Sequence, residues 1–102
     1  KKPGELKEYF RKFWENTDLY EVKVWFESTL ANSLASIKYY FGFIDEHEDN
    51  DGIVMSFAVT EYTYIANWLL TFRDKIRIVH PDELRNKIIE SVRELSDIYL
   101  NI

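Results

Sequence analysis

The stretch from Ile65 to Leu95, IANWLLTFRDKIRIVHPDELRNKIIESVREL, changes its apolar period twice, and this constrains the fold more than any other feature. Trp68, Leu69 and Phe72 share one helical face, and Ile76, Ile78 and Val79 make a short apolar strand. Helical spacing then returns through Leu84, Ile88, Val92, Leu95 and Tyr99. His80-Pro81-Asp82-Glu83 marks the start of that second helix. Proline is tolerated at the first helical position, and acids in the first turn complement the positive end of the helix dipole. The reading is amphipathic helix over about 61–72, strand at 75–79 and long helix from about 81 to 99, the signature of a small α+β domain.

Upstream, Tyr20, Val22, Val24 and Phe26 alternate with Glu21, Lys23, Trp25 and Glu27, which predicts a half-buried strand over 20–27. Ser28 is placed to cap a helix over about 29–38, with Leu30, Leu34 and Ile37 facing inward. Residues 39–45 (YYFGFID) favour a strand by aromatic content, with Gly42 marking a bulge. EHEDNDG then reads as a polar hairpin turn whose positive-φ positions are Asp51 and Gly52. Ile53, Met55, Phe57 and Val59 alternate with Val54, Ser56, Ala58 and Thr60 in the next strand. The order β-α-β-β-α-β predicts an α+β, ferredoxin-like plait over residues 20–102. It carries a long C-terminal helix. Residues 1–19 add a linker and an N-terminal amphipathic helix through Leu6, Tyr9, Phe10, Phe13 and Trp14.

A chain of 102 residues is a single domain by length, and 46% apolar content with seven Phe, seven Tyr and three Trp argues for a folded core. There is no cysteine, which excludes disulfides, thiolate metal sites and a Cys nucleophile, and fits a cytoplasmic protein. No apolar run is long enough for a membrane span, and no signal peptide is visible. The opening KKPGELKEYF suggests a piece of a longer protein. A net charge of −5 opposes free-standing binding to nucleic-acid phosphates, although the acids are concentrated in DEHEDNDG.

The W-L-L…F run of Trp68, Leu69, Leu70 and Phe72 leads to Ile76, Ile78 and a P-x-x-L-R segment of Pro81, Leu84 and Arg85. It resembles the C-terminal extension (WCX) domain of WYL-domain transcriptional regulators. YEVKVWFES, through Val22, Val24, Phe26 and Ser28, is similar to that family's first strand. NDGIVMSFAV, through Asp51, Gly52, Phe57 and Val59, is similar to its third. Members often have Gly after the helix Phe; here it is Arg73. The resemblance implies a bacterial, cytoplasmic, non-catalytic module that helps its parent oligomerise or couples an effector site to DNA binding. Its partners would be its own WYL domain or a partner subunit. DNA would be reached only through an N-terminal helix-turn-helix domain that is missing here.

Four residues are candidates for an interface or effector site: Lys23, Trp25, Arg73 and Arg77. Trp25 lies on the outward sheet face with Val54, and either serves docking or is buried beneath a terminal helix or neighbouring domain. Lys23, Arg73, Lys75 and Arg77 would cluster only if the first and last strands were adjacent. The reading of the plait sets those strands apart, which favours a solvated charged face. No catalytic residues and no cofactor are assigned, because no Ser-His-Asp order, P-loop, zinc spacing or dinucleotide motif occurs. His47 and His80 stand alone, and the acidic run lacks the ordered spacing of a calcium loop. An RNA-reading sheet face would need aromatics on both central strands, and Val54, Ser56 and Ala58 supply none beside Trp25.

Overall fold

A computed structural model describes residues 11–12 and 18–100. Its framework is one four-stranded antiparallel sheet: β1 (Tyr20–Glu27), β2 (Phe43–Asp49), β3 (Gly52–Val59) and β4 (Ile76–His80), in the order β2-β3-β1-β4. Helix α1 (Ala31–Ile37) joins the first two strands, α2 (Thr63–Leu70) joins β3 to β4, and α3 (Asp82–Leu100) follows. The N-terminal amphipathic helix expected over 5–16 lies almost wholly outside the described residues. Arg11 and Lys12 are helical and exposed.

The period-two pattern of β1 places Val22, Val24 and Phe26 on the covered face, all fully buried. In register beside them stand Phe57, Met55 and Ile53 of β3, and Ile78 and Ile76 of β4. Leu34 of α1, Ile65, Ala66 and Leu69 of α2, and Leu84 of α3 close this layer. Helices α1, α2 and α3 therefore contribute to one core on one side of the sheet. Trp68 packs into the same cluster. Its ring stacks on Phe41 at 3.9 Å and 9°, and meets Phe57 and Phe72 edge-on.

Beyond β1, the segments differ in detail from their sequence reading, for local reasons. The helix expected over 29–38 is a short α-helix between two 3₁₀ turns, Ser28–Leu30 and Lys38–Phe41. Ser28 is the first residue of the first turn and not its cap; Glu27 holds the cap position without a side-chain bond. Gly42 ends the second turn in the left-handed region at φ 81°, where a Cβ would lie 2.1 Å from the Ala58 carbonyl oxygen. The strand expected at 39–45 thus begins only at Phe43, and its register slips between Phe43 and Asp45. Glu46 to Asp49, read as turn, belong to β2: an edge strand that pairs on one side tolerates charges on both faces. The turn itself is Asn50-Asp51, at φ 45° and 61°, a two-residue mirror-type hairpin turn. Gly52 is therefore a strand residue and not a turn residue.

β1 and β4 are hydrogen-bonded neighbours, contrary to the expectation that the first and last strands stand apart. The crossover through α2 delivers β4 to the free side of β1. Arg73 occupies the left-handed region at φ 55°, so the chain turns after α2 without the glycine that relieves such a position. The His80–Pro81 peptide is cis, and the Pro81 carbonyl accepts the first bonds of α3, from Leu84 and Arg85.

Candidate interaction surfaces

The second face of the sheet carries no helix among the elements described. Register puts Glu21, Lys23, Trp25 and Glu27 of β1 on it, with Gly52, Val54 and Ser56 of β3 beside them. Arg77 and His80 of β4 complete one edge, and Asp45, His47 and Asp49 of β2 the other. Trp25 and Arg77 are directly opposite, as are Lys23 and His80. Three of the four candidate residues, Lys23, Trp25 and Arg77, thus share a surface. Arg73 sits apart, in the turn that precedes β4.

What the side chains do there differs from a free docking patch. The Trp25 indole lies across β3, and its Nε1–H donates to the Asp49 carbonyl at 2.8 Å. Gly52 makes this possible: a Cβ on it would lie 2.3 Å from indole atoms Cε2 and Nε1. Trp25 is half-buried and clamps the hairpin, while Val54, expected to be presented with it, is 4% exposed. Arg77 donates Nη1 to the carbonyls of Asp74 and Ile76, at 2.7 and 2.6 Å. Lys75 lies 3.7 Å from the Glu27 carboxylate. Strand adjacency therefore holds, but two of the basic groups are engaged locally, and the basic residues do not converge on a common point.

Two further features were not read from the sequence. Arg85 donates Nη2 to the Ile78 carbonyl at 2.8 Å and pairs with Asp82, tying the first turn of α3 to the outer strand. Its position in the P-x-x-L-R segment was the one available signal. Beside it, a recess of about 710 Å³ lies between the start of β1, the end of β4 and the start of α3. Tyr20, Glu21, Tyr62, His80 and Glu83 are among its walls. The Tyr62 phenol is pushed above its ordinary range by burial and then by the charge of Glu83, and its ring meets Tyr20 at 5.3 Å. The groups here are aromatic, acidic and basic, with Arg11 and His80 among the walls.

Among the described residues, no group of three or more His, Cys, Asp or Glu side chains is arranged to hold a metal ion. Among them, too, no helix is long and apolar enough to cross a membrane. No curated protein matches the chain. The family pattern of the WCX domain matches residues 18–96, from just before β1 to the body of α3. It spans the sheet, the Trp25 clamp and the Arg85 tie. The chain belongs to the WCX domain family.

Proposed function

We propose that this WCX domain is a non-catalytic regulatory and oligomerisation module of a bacterial, cytoplasmic WYL-type transcription regulator. It couples effector sensing to DNA binding performed by an N-terminal domain outside this chain. The observation that carries this reading is the family match over residues 18–96, since WCX domains are associated with WYL-type regulators. The fold is read as a ferredoxin-like plait. The strand order, β4-β1-β3-β2 counted from the other edge, supports this, as does a helix between the first and the last strand pairs. The plait hosts many activities, so the argument rests on the surfaces and not on the fold. Those surfaces carry backbone clamps and ion pairs in place of reacting groups.

A second reading, a stand-alone plait that binds a small effector, is favoured by the recess beside Tyr62, whose volume of about 710 Å³ suits a small molecule. Either way the domain does not read DNA. It carries a net charge of −5, and α3, its longest described helix, carries acids through its first turn, where a reading helix meets base edges. Fluorescence anisotropy with duplex DNA tests this. The 102-residue chain gives no saturable, sequence-selective binding at physiological salt. Sub-micromolar selective binding contradicts the proposal.

A further inference from the structure

The recess beside Tyr62 is built from unlike walls. Tyr20 and Glu21 come from the start of β1, His80 from the end of β4, and Asp82 and Glu83 from the first turn of α3. Its aromatic wall is the pair Tyr20 and Tyr62, whose rings meet at 5.3 Å and 36°. Tyr20 is 50% exposed, so much of that ring stays uncovered in the recess. Burial, and then the charge of Glu83, raise the Tyr62 phenol, which sets that carboxylate close to the ring pair. A volume of about 710 Å³ suits a small molecule.

Charge narrows what the recess can take. Three carboxylates, Glu21, Asp82 and Glu83, stand in its walls against one guanidinium, Arg11, and His80. Asp82 is held by Arg85, whereas Glu21 and Glu83 make no ion pair among the described residues. A helix start ordinarily favours an anion through its free amides. Here Pro81 has no amide hydrogen, and two acids occupy the first turn of α3. The carboxylates are not gathered on one point, so a bare metal ion finds no ligand set among the described residues. A carbon-rich cation gains from both kinds of wall: its charge is attracted by the ring faces and by the acids, and its weak hydration makes entry inexpensive.

We propose that this recess binds a small quaternary ammonium ion, held by the ring faces of Tyr20 and Tyr62 and by the carboxylates of Glu21 and Glu83. This rests on the reading of the recess as an effector site and names the chemistry of the effector. The rings supply the selectivity for a methylated over a strongly hydrated cation. The acids supply a long-range attraction that salt weakens. Because the walls come from β1, β4 and α3, a bound cation links the sheet end to the start of the long helix.

Titration of the isotope-labelled 102-residue chain with choline chloride, followed by amide NMR, tests the site. Choline gives saturable shifts at Tyr20, Tyr62 and Glu83, with a dissociation constant of about 1 mM or below. Its uncharged isostere, in which a tert-butyl group replaces the trimethylammonium, binds at least about tenfold more weakly. Tyr20→Leu and Glu83→Gln each weaken choline binding at least about threefold, while the amide spectrum shows that both variants stay folded. Absence of saturable choline shifts overturns the proposal. So does equal binding of the isostere, or choline binding indifferent to both Tyr20→Leu and Glu83→Gln. Inorganic phosphate that shifts the same amides more tightly than choline overturns the cation but leaves the recess as an effector site, so the two readings fail separately. None of these outcomes bears on the DNA titration.

Discussion

Gly52, Trp25 and Arg73 show how single residues set this fold. Gly52 is required because an indole occupies the space a side chain would take. Gly52→Ala therefore overpacks the contact and costs about 1–3 kcal/mol, read as a lower denaturant midpoint with an unchanged slope. Trp25→Ala removes the clamp and its bond to the Asp49 carbonyl, and lowers the same midpoint by about 1–3 kcal/mol. A midpoint indifferent to both would show that Trp25 serves docking alone. Arg73 stands at φ 55°, where any Cβ is strained. Arg73→Gly stabilises the domain by up to about 1 kcal/mol in the same measurement, the relief of a left-handed residue less the entropy of glycine. At this scale the sequence was half legible. The one-residue displacement of Gly52 from turn to strand could not be seen, because Asn50 and Asp51 can supply positive φ themselves.

Among the elements, the strands were the most legible, since alternation reports burial directly. Tyr20–Glu27 matches its predicted span, and β3 begins one residue before its predicted start. Edge strands and short helices were less so. The acidic run reads as a loop by composition, yet it folds as β2 because only one side of it needs a partner. The start of α2 at Thr63, two residues after the predicted start, has a chemical cause. The Glu61 carboxylate accepts the Thr63 and Tyr64 amides at 2.6 and 3.1 Å, satisfying two donors that lack helical partners. The Thr63 bond, followed by that from Tyr64, holds the Glu61 carboxyl below its ordinary value of 4.5. A depressed carboxylate contributes its stability above the unfolded value and loses it as pH falls through the folded one. Thermal midpoints measured downward from pH 6 should thus drop below pH ~4.5, and Glu61→Gln should flatten part of that drop. An unchanged acid profile in Glu61→Gln would remove the cap from this account.

For the whole molecule, the sequence announced an apolar stripe along the last helix but not that the domain covers only its beginning. A stripe reports that something will bury it, and not what. Leu84 meets the domain's own core, whereas Val92, Leu95 and Tyr99 stay exposed. The same limit held for the basic residues: their types were legible, but the approach of Lys75 to Glu27 depends on strand order, and Arg77 turns back onto the carbonyls of its own segment. The family match over residues 18–96 places the chain among WCX domains, which are associated with WYL-type regulators. The most direct measurement is operator binding by the parent regulator, intact and with residues 18–100 removed, by anisotropy at fixed salt. The account predicts that the truncated protein keeps a folded DNA-reading domain but binds a two-half-site operator at least about tenfold more weakly, because the second copy is no longer held in place. Equal affinity of the two proteins, with the same response to inducing conditions, would contradict it.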